Sequence, residues 1–389
     1  MKKLKIYAHT IENEAVQQVN KMNGCDAYKD CTIRIMPDCH AGMGCTIGTV
    51  IAVKDRIVPN TVGVDIGCGM LVIPIQAKDI NLQQLDEVIN ECVPSGFNIH
   101  EKPVTTFPNL EDLRCKDAIN IDFANRSLGS LGGGNHFIEL NENPKGSKFL
   151  VIHSGSRNLG VKVCDYYQKK AVKCCKEKAF DEKALIAELK AQGRQREIES
   201  VVKAAKLNAP KINTELAYLE GKDLKDYLHD MNICQQYASV NRHFIAYMIL
   251  KTMGLAMGEP METIHNYIDI THKILRKGAV SALNGQRLII PMNMRDGSLI
   301  CRGKGNIDWL YSAPHGAGRI MSRRRAKETL NVEDFKQSME GIYTTSVCES
   351  TLDEAPMVYK PMQEIIECIE PTVEVLDVIK PLYNFKAKQ

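Results

Sequence analysis

Aromatic side chains are scarce in this chain: Phe, Tyr and Trp make up 6% of its 389 residues, and there is a single Trp. That argues for an aliphatic core and against an aromatic-lined binding groove. Long apolar runs are missing as well, and no uncharged stretch approaches the roughly 20 residues needed to span a membrane. The basic start Met1-Lys-Lys-Leu-Lys is not followed by the apolar segment of a secretion signal, so a cytoplasmic protein is expected. Neither sign of charge dominates: 50 Lys and Arg stand against 47 Asp and Glu, a net +3. Binding of nucleic acid would therefore need a local basic surface rather than overall charge. Cysteine is plentiful, at fourteen, but no two have Cys-x-x-Cys spacing and Cys174-Cys175 are adjacent. This excludes a zinc ribbon and a disulfide framework and favours reduced, buried thiols. A Walker loop is absent too. Cys301-Arg-Gly-Lys-Gly-Asn306 lacks its spacing and its Ser or Thr, and reads as a hairpin turn.

What is present alternates in kind along the chain. Ile11, Ala15, Val16 and Val19 predict a short amphipathic helix over 11–22. Between Ile33 and Ile75, short β-rich runs are broken by glycines, which fits strands packed closely on other backbone. A helix is expected near 82–91 and a strand over 148–152, ending just before His153. Residues 161–206, rich in Lys, Glu and Ala, predict two helices broken near Gln192-Gly193. Their lysines and arginines read either as a solvated face or as a substrate-facing basic arm. A helix over 231–252 carries Asn232, Gln236, Asn241 and Arg242 on an otherwise apolar face. Strands are expected at 287–291 and 298–301, a helix near 331–340, a loop over Glu354–Lys360, a helix after Pro361 and a final strand reaching Lys386. Polar motifs run from residue 65 to residue 386. The expected architecture is therefore one composite domain over 1–389, α+β in class, with mixed or antiparallel sheets around a central cleft and the 161–206 block as a helical insertion.

The chemistry is concentrated in glycine-flanked motifs. Val62-Gly-Val-Asp65-Ile-Gly-Cys68-Gly, Gly134-Asn135-His136, His153-Ser-Gly-Ser-Arg157 and His265-Asn266 each set a metal-competent side chain beside glycine or an apolar run. A set of one Asp, one Cys and three His mixes hard and borderline-soft ligands, and so suits Mn²⁺, Fe²⁺, Co²⁺ or Zn²⁺ better than Mg²⁺. Gly132-Gly-Gly-Asn135 and Gly316-Ala-Gly318 offer amides to phosphate. His315, between Pro314 and Gly316, stands where a phosphate could approach the backbone closely, and a histidine there can act as a nucleophile on phosphorus. Lys386 is a candidate for binding phosphate or a base edge.

Taken together, Met36-Pro-Asp38-x-His40, Asp65-x-x-Cys68, Gly134-Asn135-His136 with Glu139, His153-Ser-Gly-Ser-Arg157, His265-Asn266 and His315-Gly-Ala-Gly318 resemble the RtcB family of RNA ligases, in order and over nearly the whole chain. The resemblance implies GTP- and Mn²⁺-dependent joining of RNA 3′-phosphate or 2′,3′-cyclic phosphate ends to 5′-hydroxyl ends, in RNA repair or tRNA splicing. It implies guanylylation of His315, and two Mn²⁺ ions held by Asp65, Cys68, His136, His153 and His265. Guanylate contacts would fall to Asn135, Glu139, His265, Asn266, Pro291, Asn293, Met294, Ser298, His315, Gly316, Ala317, Gly318 and Lys386. It leaves open an accessory activator protein. Where the family reads Pro-Gly-Ser-Met, this chain has the bulkier Pro291-Met-Asn-Met294. Two rivals remain at this stage: a metal-dependent phosphoesterase acting on RNA ends, and a non-catalytic protein that binds RNA ends or nucleotides.

Overall fold

A computed structural model describes residues 3–387, so Met1 and Lys2 of the basic start lie outside the described residues. Two antiparallel-dominated sheets make the frame. The first has five strands in the order Leu4–Ile6, Thr32–His40, Ile47–Ala52, Ile274–Lys277, Asn266–Asp269; its first pair is parallel and the rest are antiparallel. The second has seven, in the order Arg287–Asn293, Gly297–Gly303, Val373–Lys386, Phe137–Glu142, Lys148–Ser154, Gly69–Ile75, Met261–Ile264. The expected α+β class with mixed and antiparallel sheets is what the chain forms.

The seven-stranded sheet is covered on both faces. From Gly69–Ile75, Leu71, Ile73 and Ile75 pack under Ile245 and Ile249 of the helix Gly221–Met253, while Met70 and Val72 meet Phe137, Val151, Ile289 and Ile379 on the other side. Strands buried on both faces read as continuous apolar runs, which is why Met70-Leu-Val-Ile-Pro-Ile carries no polar alternation. The 33-residue helix Gly221–Met253 likewise buries residues on several sides, so its apolar pattern is diffuse and its first ten residues are missed by periodicity. It begins at Gly221 rather than near residue 231, and ends at Gly254 in a left-handed cap.

Two other expectations are corrected. The block expected over 161–206 holds three α-helices, not two: Arg157–Ala179, Glu182–Ala191 and Ile198–Asn208. The additional break comes at Asp181, whose side chain accepts from the Ala184 amide and so caps a new helix. Cys301–Asn306 is not a hairpin turn either. Cys301 to Gly303 complete a strand, and Asn306 caps a short 3-10 turn. The hairpin turn lies instead at Asn293–Gly297, where Asn293 Oδ1 accepts from the amides of Arg295 and Asp296.

Candidate metal and nucleotide site

Strand register brings the distant motifs together. Across the seven-stranded sheet, Lys386 pairs with Phe137, Phe137 with His153, and His153 with Met70. One residue beyond, Gly69 pairs with both Ser154 and Ile264. Cys68 and His265 therefore face each other at the sheet end, where the His265 amide donates to the Cys68 carbonyl at 2.9 Å. His153 belongs to its strand rather than to the loop after it. The long helix secures this end from behind. Arg242, fully buried, donates to the carbonyls of Gly67 at 2.9 Å and Ser154 at 2.6 Å, beside Cys68 and His153 respectively. Asn241 bonds Gly129, Ser130, Ser154 and Gly155. Gly155 must be glycine, since a Cβ there would sit 2.0 Å from Asp65 Oδ1.

The ligand atoms converge. Cys68 Sγ lies 3.3 Å from Nε2 of His136 and 3.3 Å from Nε2 of His153; Asp65 Oδ2 lies 3.0 Å from His136 Nε2, and the Nε2 atoms of His153 and His265 are 3.3 Å apart. Donor atoms of a tetrahedral transition-metal site lie roughly 3.4 Å apart, given its bond lengths. The second nitrogens support that reading. His136 Nδ1 is 2.8 Å from the Leu131 carbonyl and His153 Nδ1 is 3.0 Å from the Asn135 carbonyl, so each Nδ1 carries the proton and each Nε2 presents a lone pair. Burial keeps His153 and His265 neutral, pushing both well below the usual histidine range. The Nε2 lone pair of His136 faces a carboxylate and those of His153 and His265 face each other, contacts that repel unless a cation sits among them, so the donor set fits a metal. Cys68 stands between two halves, Asp65 with His136 on one side and His153 with His265 on the other.

These groups form one end of a cavity of about 710 Å³. Of the residues that the sequence proposes for metal and guanylate, all but His136 line it, and His136 touches Asp65 and Cys68 just behind. His315 projects into the cavity with its ring 4.9 Å from that of His265. Its orientation comes from Asp38, a residue the sequence places in a motif without giving it a role. Asp38 is completely buried, and its Oδ2 accepts from the His315 amide at 3.1 Å and from Nδ1 at 2.6 Å. Nε2 is left with its lone pair toward the cavity. Gly318, at φ +75°, lets the turn lie on Asp38: a Cβ there would come 2.3 Å from the Asp38 carbonyl oxygen.

At the other end the donors and acceptors differ. Glu139, Ser298 and Lys386 are buried cavity residues. Burial pushes the Glu139 carboxyl up to about 7, against the opposing pull of Asn141, Asn384 and Lys386. Ser298 Oγ has no hydrogen-bond partner and remains available. Two proposed contacts are committed elsewhere. The Asn293 amide builds the Asn293–Gly297 turn and donates to Asp296 Oδ2 at 2.7 Å, while the residue lines the cavity. The Asn266 side chain spans from the Asp65 carbonyl to the Gly278 amide, and so braces the ligand turn against the bend beside His315. Gly132 is packed so closely on Arg157 and His136 that a Cβ would collide with both, and Asn135, Gly316 and Gly318 line the cavity. Met292 packs with Ala317 and Ile290 as part of the floor.

The sequence matches known proteins of one family. The profile of the family described as tRNA-splicing ligase RtcB matches residues 16–120 and 108–387. The RNA-splicing ligase RtcB of Escherichia coli K12 is 32% identical over 395 residues, covering 91% of this chain and 90% of that protein. The tRNA-splicing ligase RtcB of Archaeoglobus fulgidus is 24% identical over 453 residues, covering 92% and 88%.

Proposed function

From the premise that the chain belongs to the RtcB family, we propose that it is an RNA ligase, joining 3′-phosphate or 2′,3′-cyclic phosphate ends to 5′-hydroxyl ends with GTP and Mn²⁺, with 1–389 as one ligase domain working in the cytoplasm. The observation that carries this is His315, whose Nδ1 is held by buried Asp38 while Nε2 faces a cavity lined by Asp65, Cys68, His153 and His265, with His136 just behind them. Nε2 attacks the α-phosphorus of GTP, the bond to pyrophosphate breaks, and a phosphoramidate forms. An oxygen of the RNA 3′-phosphate then takes the guanylate, breaking the P–N bond. The 5′-hydroxyl attacks the activated 3′-phosphorus and expels GMP. A cyclic end is first opened by hydrolysis. Two Mn²⁺ ions, when bound by Asp65, Cys68, His136, His153 and His265, neutralise phosphate charge and align the displacements.

Base choice follows from donor and acceptor order. Guanine presents an acceptor, O6, beside the N1–H and N2–H donors. Lys386 supplies donors, and ionised Glu139 accepts. Adenine offers the reverse order. Among the described residues no helix is long and apolar enough to cross a membrane.

Because Glu139 titrates near 7, the pocket has a pH signature. Only the ionised carboxylate accepts from N1–H and N2–H, so below about 7 the acceptor is filled by a proton and above it is free. The KM for GTP in enzyme guanylylation is expected to fall several-fold between pH 6 and pH 8. Glu139→Gln should flatten that dependence and raise KM at pH 8. A profile that is the same in both proteins would exclude this contact.

Ligase and phosphoesterase are separated by the fate of the 3′-phosphate. RNA with a labelled 3′-phosphate and a 5′-hydroxyl, given GTP and Mn²⁺, should yield joined product with the label at the junction and resistant to phosphatase. Blocking the 5′ end with phosphate should instead accumulate the guanylate-capped 3′ end. Release of the label as free phosphate, independent of GTP, would make the protein a hydrolase.

A further inference from the structure

Beside the His315 turn lies a second set of charges, gathered on a carboxylate that the chemistry above does not use. Glu354 is 2% exposed and stands among three cations and a phenol. Its two oxygens divide the partners between them. Oε2 accepts from Lys386 Nζ at 2.8 Å and from the Tyr359 hydroxyl at 2.7 Å. Oε1 faces Arg323 Nη1 at 2.8 Å and Arg319 Nη1 at 3.5 Å. The carboxylate cannot rotate to relax either set without breaking the other. Burial alone would push Glu354 up, but Lys386, Arg323 and Arg319 outweigh it and hold the carboxyl at about 2.

The backbone fixes where this carboxylate sits. Arg319 and Tyr359 form an antiparallel bridge, the Ile320 amide donates to the Val358 carbonyl at 2.8 Å, and the Lys360 amide donates to the Gly318 carbonyl at 3.0 Å. Lys360 Nζ in turn reaches the Pro37 carbonyl at 2.7 Å, next to Asp38. The segment bearing Glu354 is thus laced to the turn that bears His315. Lys386 arrives from the far end of the chain with, among the described residues, Glu354 as its ion-pair partner and two ammonium protons left over, its Nζ 5.4 Å from the Phe137 ring centre. A buried lysine on a flexible stem has no preferred direction of its own. Here one is imposed by a carboxylate whose other oxygen is clamped by two guanidinium groups.

We propose that Glu354 is a positioning residue, holding Lys386 directed into the nucleotide pocket through a carboxylate that Arg319 and Arg323 lock in place. This rests on the reading of Lys386 as a nucleotide contact. It differs from a purely structural ion cluster in what it predicts. Glu354→Gln keeps the shape but gives up the charge, so the Lys386 ammonium is no longer held. The KM for GTP in guanylylation should rise about tenfold, the effect of losing one contact to a charged group, with kcat within about threefold of wild type. The preference for GTP over ATP should fall by the same factor. Lys386→Met should behave alike, and the double variant should be no worse than either single one, because both remove the same contact.

The test is enzyme labelling from α-labelled GTP and ATP across a concentration series, for wild type, both single variants and the double variant, alongside thermal melts. A Glu354→Gln protein with a lowered Tm but wild-type KM and base preference, or a double variant whose effects multiply, would overturn the proposal. Should Glu354→Gln fail to fold, Glu354→Asp keeps the charge but withdraws it by one methylene; a raised KM supports the proposal, and a wild-type KM overturns it. Wild-type enzyme that takes no label at all would remove the underlying nucleotide reading, whereas labelled wild type with an indifferent Glu354→Gln removes only the role of Glu354.

Discussion

His315→Ala protein incubated with GTP and Mn²⁺ is expected to gain no guanylate by intact-mass analysis, whereas wild type gains one that acid and hydroxylamine remove. The physical ground is that His315 turns Nε2 to the cavity while the Asp38 carboxylate holds its Nδ1; His153 and His265 direct Nε2 at the thiol or at each other, and His40 has its Nδ1 on the Asp38 carbonyl instead of a carboxylate. Loss of the nucleophile should lower joining of unactivated RNA by about 10⁴-fold or more, as removal of a covalent catalyst does elsewhere. The same variant should still seal RNA that already carries a guanylate-capped 3′ end, since the histidine has finished its work by then. A guanylylated His315→Ala protein would move the nucleophile to another residue. Failure on the pre-capped substrate would instead give His315 a part in the sealing step.

Metal content should respond as sharply. Cys68→Ala removes the atom that lies 3.3 Å from two imidazole nitrogens, so the remaining ligands lose their common centre. Bound Mn²⁺, read by elemental analysis after dialysis, should fall at least about 100-fold in affinity, and His153→Ala should match it. Burial together with Asp65 keeps the Cys68 thiol protonated when no cation is near, so binding must displace that proton. Affinity should therefore weaken as pH falls. Chelation followed by Mn²⁺ or Co²⁺ should restore guanylylation, and Mg²⁺ should restore little, because thiolate and imidazole match the softer ions. Full activity with Mg²⁺ alone, or a Cys68→Ala protein that keeps its metal, would contradict this centre.

The residue types and their local settings were legible without coordinates. Asp65, Cys68, His136, His153, His265 and His315 stand out because each lies beside glycine or at the end of an apolar run, where a side chain and a ligand can share crowded backbone. Short β-rich runs announced the strands, since Ile, Val and Thr recur in them between glycines. The final strand was visible, and so was Lys386 at its end. The long helix was legible only in part, because burial on several sides blurs a 3.6-residue period, and Asp181 split the lysine-rich block by a cap that composition does not register.

What the chain determines by itself is therefore a vocabulary: the ligands, the nucleophile and the strands that carry them. Which of these meet was decided by the tertiary structure. Convergence depends on register between strands as far apart in sequence as those of Phe137 and Lys386, and a slip of one residue would have turned His153 to the opposite face of the sheet. Polar side chains that work through others were hidden for the same reason. Asp38 in a strand, Asn241 and Arg242 in a helix, and Glu354 in a 3-10 turn look like ordinary polar residues until folding strips their water. Their remaining partners are then a histidine, the backbone of the ligand turns and a lysine from the far end of the chain. A buried charge must be matched, and only the folded chain says by what.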